Sequence, residues 1–170
     1  YLILGVLIFI GYFLATVYGS DEVLTFIHIL EHVGWLVLCI FLMLLLDFII
    51  RKNILTRNNT YAVLFFSCFL LMIPNIFGAG DILMANLLSL LALRRIISLR
   101  TERNLEKKIL DASIYLTIAS VFHFWILIYF GILWLGIIRS PLTRFRHLLI
   151  PIVGFLGTFF LITTFYYITE

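Results

Sequence analysis

Long apolar runs separated by short polar clusters define this chain. Leu2–Tyr18, Gly34–Ile50, Tyr61–Phe77, Ile82–Ile97 and Leu148–Tyr167 are each almost wholly apolar. Each approaches the ~20 residues a helix needs to cross the hydrocarbon core of a bilayer. Between the first two runs, Ser20–His32 holds Asp21, Glu22 and Glu31 without a Lys or Arg, while Val23, Leu24, Ile27 and Leu30 recur at helical spacing. That pattern predicts a short helix lying at the membrane interface, with Trp35 at the start of the next span. Pro74-Asn75 interrupts the third run near its far end, and Gly78–Asp81 reads as a tight turn. The mixed-charge segment Arg94–Lys108 suits a helix–turn–helix emerging from the membrane.

Two topologies fit Ile109–Ile138, which is apolar apart from Asp111, a few hydroxyls and His123. Basic clusters flank it on both sides, so the charge rule favours two short helices meeting near Ser120–Phe122. Each arm is then only ~18–24 Å long against a ~30 Å core, so the length rule favours a single tilted span. The hairpin is the preferred expectation, because short arms are tolerated when packed against protein.

Composition agrees with a membrane class. Of the 170 residues 64% are hydrophobic, and the mean hydropathy of +1.16 is too high for a soluble domain of this size. All 12 Lys and Arg fall in Arg51–Arg57, Arg94–Lys108 and Arg139–Arg146, and such clusters tend to stay cytoplasmic. The net charge of +3 is therefore an orientation signal and not a nucleic-acid footprint. Cys39 and Cys68 lie within apolar runs, where a thiol more often packs than forms a disulfide. The chain starts inside a hydrophobic run without an initiator Met, which reads as a single transmembrane domain cut from a longer protein. With no basic start and no small-residue cleavage site, the first run is a span and not a signal peptide.

Candidate chemistry is sparse. His28-Ile-Leu-Glu31-His32 spells H-x-x-E-H, and histidines at i and i+4 share a helix face that can pinch a metal ion. No third ligand stands out, Asp21, Glu22 and Asp81 being only loose candidates, so a metal site is not expected, and no cofactor is implied. Asp47 lies one turn before Arg51, which predicts an ion pair at the membrane rim. Asp111 at the start of the hairpin predicts a helix N-cap. His123 sits deep in an apolar segment, where an ionisable side chain is costly and by default a site hypothesis; the plainer reading is a bond to Ser120 or another hydroxyl. Asn86 reads as interhelical glue, and Asn75 as the lining of a small wet cavity beside Pro74. Arg94, Arg95, Arg100, Lys107 and Lys108 read first as anchors against anionic headgroups, and second as a cradle for a phosphate. Asn58-Asn59-Thr60 matches a glycosylation pattern but falls in an expected cytoplasmic loop.

Asn58-Asn59-Thr60-Tyr61, Asn86–Arg95, Lys108–Ser113, Ala119–Trp125 and Arg146–Gly154 together resemble a family of polytopic inner-membrane proteins of the Bacteroidota. The resemblance covers most of residues 34–160 and implies a location, not a reaction. More loosely, an Arg-ended span, a basic loop and the Ala119–His123 step resemble polyprenol-linked glycan polymerases and glycosyltransferases. That likeness implies a phosphate handled by Arg94, Arg95 or His123, with Asp21, Glu22 or Glu31 as the extracytoplasmic acid.

The resulting expectation is an all-α polytopic transmembrane bundle of about six membrane segments in a bacterial inner membrane, with loops 51–57 and 94–108 cytoplasmic. Its expected partners are the bilayer, anionic headgroups and other membrane subunits. The leading function is an accessory subunit of a cell-envelope assembly for export, motility or glycan building. The rival is a membrane glycosyltransferase or polymerase acting on a polyprenol-phosphate-linked substrate. A transporter is disfavoured, since no inverted repeat or matching pair of broken spans is present.

Overall fold

The computed structural model describes residues 2–19, 26–55, 61–73, 76, 79–101, 104–140 and 144–169, with the backbone alone for 2–4, 15–19, 26–29, 31, 32 and 101. The described residues are helical, without a strand: α1 (Leu2–Gly19), α2 (Phe26–Lys52), α3 (Tyr61–Met72), α4 (Gly80–Ile97), α5 (Leu105–Phe122), α6 (Tyr129–Ile138) and α7 (Phe145–Thr169). Short 3₁₀ segments, Ser98–Thr101 and Phe124–Ile128, follow α4 and precede α6. Three helical stretches among the described residues are long and apolar enough to cross a membrane: Val33–Lys52, Gly80–Arg100 and Phe145–Thr169. The chain forms two compact units, Tyr1–Leu83 and Met84–Glu170, with the boundary inside α4.

In the first unit α1, α2 and α3 pack on one another, burying Ile8, Tyr12, Leu42, Met43, Val63 and Leu70. The Ser67 hydroxyl lies 3.6 Å from Met43 Sδ and donates to the Val63 carbonyl at 2.9 Å, joining α3 to α2. The separate interfacial helix is corrected in part. Residues 26–32 are the opening turns of α2, which runs unbroken for 27 residues, about 40 Å. Continuing a helix satisfies every N–H within the segment, whereas breaking it at Gly34 leaves donors bare. Residues 20–25 lie outside the described residues. The turn expected at Gly78–Asp81 is shifted, because Gly80 and Asp81 already form the first turn of α4. A Cβ at Gly80 would run into the Trp35 ring, so α2 and α4 approach closely there. α3 ends at Met72, two residues before Pro74, as the clash of a proline with a preceding helical residue requires.

α2 ends in a Schellman arrangement. Leu55 N–H donates to the Ile50 carbonyl at 3.1 Å and Ile54 N–H to that of Arg51 at 3.2 Å. The C′ position belongs to Ile54, which takes a left-handed φ of 49° where glycine is usual.

The second unit decides the ambiguity at Ile109–Ile138. α5 ends at His123, whose backbone is extended (φ −145°, ψ 105°), and the chain returns through the 3₁₀ turn and α6. Leu105, Ile109, Ala112, Leu116 and Ala119 of α5 are buried in one core with Ala92, Ile96 and Leu99, and with Ile126, Leu133 and Ile137 of the returning arm. The 4-3-4-3 spacing along α5 is a heptad seam. A Cβ at Gly136 would sit 3.0 Å from Ile96 and 3.6 Å from Leu99, so the end of α6 comes back beside the end of α4. The segment is a helical hairpin. Its arms also match: α5 begins at Leu105, earlier than expected, giving about 27 Å. The 3₁₀ turn rises ~2 Å per residue, and with α6 it gives about 25 Å.

α7 runs parallel to α5 and antiparallel to α6. Gly154 is closed against Ser113 and Leu110 of α5, and the Phe130 and Phe155 rings meet edge to face at 5.6 Å. Its only buried residues are His147, Pro151 and Gly154, a single narrow stripe.

Candidate functional site

The polar chemistry of the second unit gathers where α4 ends, α5 begins, α6 ends and α7 begins. Arg95 Nη2 lies 3.0 Å from Asp111 Oδ2. Arg146 Nη2 lies 2.9 Å from Glu106 Oε1, and His147 Nε2 lies 3.7 Å from the same oxygen. The Arg144 N–H donates to His147 Nδ1 at 3.1 Å, so a side chain in the first turn of α7 satisfies a donor at the helix start. With Nδ1 accepting, the ring proton of a neutral His147 is on Nε2, facing Glu106. Lys108 Nζ donates to the Ser98 carbonyl at 2.6 Å, closing the end of the α4 extension. Partial burial and the neighbouring Arg95 guanidinium push the Lys108 ammonium below its ordinary 10.5.

A cavity of about 410 Å³ opens beside this network, lined by Ile96, Ile97, Leu99, Arg100, Gly136, Arg139 and Ser140. Two arginines from different elements line it, with aliphatic walls between them. A second groove, of about 320 Å³ along α6 and α7, is lined by Leu127, Phe130, Trp134, Pro151, Ile152, Phe155 and Leu156. Its lining has no ionisable side chain, and the Trp134 indole N–H is its one side-chain hydrogen-bonding group among the lining residues.

The expected cradle is thus rearranged. Arg95 is engaged by Asp111, Lys108 caps a helix end, and Arg100 turns to the cavity together with Arg139 from the third basic cluster. Arg94 is half-buried and Lys107 exposed. Asp111 does not cap: α5 starts at Leu105 after Asn104, whose left-handed backbone makes no side-chain cap. The Asp47–Arg51 ion pair forms as expected, at 2.9 Å.

His123 is exposed at the hairpin tip, not deep in a span, and the Ser120 hydroxyl bonds the Thr117 carbonyl instead. Arg95–Asp111 and His123 stand toward opposite ends of α5, roughly 18 Å apart by helical rise from Asp111. Asp21, Glu22, Asn75 and Asn58–Thr60 lie outside the described residues. His28, Glu31 and His32 fall in the first turns of α2, described by backbone alone. Among the described residues no three His, Cys, Asp or Glu side chains gather as metal ligands, and both cysteines are free thiols.

Ser140, Gly136, Glu106 and His147 were not singled out by the sequence pattern, and Arg139 stood in it only as the start of a basic cluster. They meet Arg100 and Arg146 only through the hairpin, and no local spacing announces such a contact. Comparison with protein-family models, curated proteins and solved structures returned no match.

Proposed function

We propose that this chain is a multi-pass inner-membrane protein of about six membrane segments, with its basic loops cytoplasmic, serving as an accessory subunit of a larger cell-envelope assembly. The observation that carries this reading is the one-sided burial of α7. Only 11% of its membrane-length window is buried, and Phe159, Phe160, Phe165, Tyr166 and Tyr167 are all more than half exposed. A long aromatic helix with so little of its surface covered by α5 and α6 offers a broad packing surface to another membrane helix.

Polar groups at depth support the same reading. Ser67, Ser89, Ser113, Thr117, Ser120, Thr163 and Thr164 each donate to a carbonyl of their own helix, leaving those hydroxyls engaged locally rather than arrayed around a reaction chamber.

Gentle purification of the intact protein in nanodiscs, followed by mass spectrometry of everything that accompanies it, tests the proposal. Protein partners in fixed ratio, cross-linked from a photoreactive residue at Phe160 or Phe165, are expected. A protein that purifies alone with a polyprenol phosphate would turn the reading toward the glycosyltransferase or polymerase.

A further inference from the structure

We infer that the cavity between the end of the α4 extension and the end of α6 binds a phosphate anion, held by Arg100 and Arg139 with the Ser140 hydroxyl at its edge. Three observations point there. The cavity is of small-molecule size, about 410 Å³, within the roughly 300–1,000 Å³ of ligand sites. Arginine forks match phosphate oxygens in pairs, and here two arrive from separate elements, as binding between them requires.

The second observation is the disposition of counter-charge. Between Arg94 and Arg146 the sequence has nine basic residues and three acidic ones. The two described acids, Glu106 and Asp111, are taken by Arg146 and Arg95. Among the described residues neither Arg100 nor Arg139 forms an ion pair, so no described acid pairs with the two cations that line the cavity. An anion between two guanidinium groups is attracted by both. The third observation is the space itself. Gly136 is part of its lining, so a side chain added there enters the wall, where even a Cβ would stand 3.0 Å from Ile96.

The surroundings suit an amphiphile. Ile96, Ile97 and Leu99 wall the cavity, while Leu135 and Ile138 on the neighbouring face of α6 are more than 60% exposed. The recognised chemistry is a phosphate group, carried either by a membrane lipid or by a soluble molecule. The lipid source rests on the membrane reading above; the anion site does not.

The intact protein, purified in a neutral detergent, is presented with dioctanoyl phosphatidic acid or with inorganic phosphate, and retention is read by native mass spectrometry and isothermal titration. Arg100→Gln and Arg139→Gln should each weaken binding about tenfold, the loss of one charge-assisted hydrogen bond. Gly136→Leu should abolish it with no change of charge. Lys107→Gln, equal in charge but outside the cavity, should leave it intact. Circular dichroism and gel filtration confirm folding; both arginines are exposed, so their variants are not expected to unfold. Binding of phosphatidic acid alone assigns a lipid source, and binding of both probes a soluble or shared one. The inference is overturned if Lys107→Gln weakens binding as much as Arg100→Gln, if Gly136→Leu has no effect, or if the folded wild type retains neither probe. None of these results depends on whether protein partners are found.

Discussion

Glu106 Oε1 and Arg146 Nη2 lie 2.9 Å apart, joining the start of α5 to the start of α7 at the end of the hairpin opposite its tip. The contact brings the second and third basic clusters to one end of the second unit. Both side chains are more than half exposed, so the pair contributes little to stability, about 0–1 kcal/mol. Its meaning is topological: a chain that crossed once between Lys108 and Arg139 would hold these residues a membrane thickness apart.

The proposed membrane topology therefore predicts one-sided labelling. With Cys39 and Cys68 replaced by alanine, Lys107→Cys and Arg144→Cys should react with a membrane-impermeant maleimide from the same face of sealed vesicles. A cysteine at His123, at the hairpin tip, should react from the opposite face. Labelling of positions 107 and 144 from opposite faces would refute the hairpin as a membrane element.

Gly154 is where α7 closes on α5, and a Cβ there collides with Ser113. Gly154→Ala should destabilise the second unit by ~1–3 kcal/mol, the range for overpacking, lowering the midpoint of unfolding in mild detergent. Adding Ser113→Ala removes the hydroxyl and should recover part of the loss. A Gly154→Ala protein as stable as the parent would mean the helices separate at no cost.

Ile54 holds a left-handed backbone at the end of α2, which costs a β-branched residue roughly 1–2 kcal/mol. Its side chain is 87% exposed and little packing is lost on truncation. Ile54→Gly should raise stability by about 1 kcal/mol, measured by thermal unfolding in micelles. A fall instead would show that the Ile54 side chain makes stabilising contacts that outweigh the backbone cost.

Lys108 supplies a pH dependence. Its folded pKa is pushed below 10.5 by desolvation and then by Arg95, so near that range the unfolded chain binds more protons. Stability then rises with pH between the depressed value and 10.5, and below that window the charged lysine is a standing cost. Lys108→Met should flatten this alkaline rise in unfolding measurements. A parent protein that loses stability there, with the variant unaffected, would contradict the assignment.

Much of the architecture is legible in the sequence, and for a plain reason. In a bilayer every backbone donor must be satisfied inside its own segment, so apolar runs become helices. α2, α4 and α7 follow their runs, Pro74 marks the end of α3, and Asp47 finds Arg51 because i,i+4 neighbours are fixed by helical geometry alone. The same logic fails at segment ends. Nothing in Ser20–His32 says that α2 would begin at Phe26, and Asn104 rather than Asp111 precedes α5.

The site was legible only as ingredients. Sequence determined that positive charge would gather in clusters, that the chain would be helical, and that Ile109–Ile138 needed either a turn or a tilt. Tertiary packing decided which. The heptad seam of α5 buries its apolar stripe against the returning arm, and that return carries Arg139 to Arg100, Arg146 to Glu106 and His123 away from them all. Partners distant in sequence are chosen by packing of whole helix faces, and no residue spacing encodes that choice.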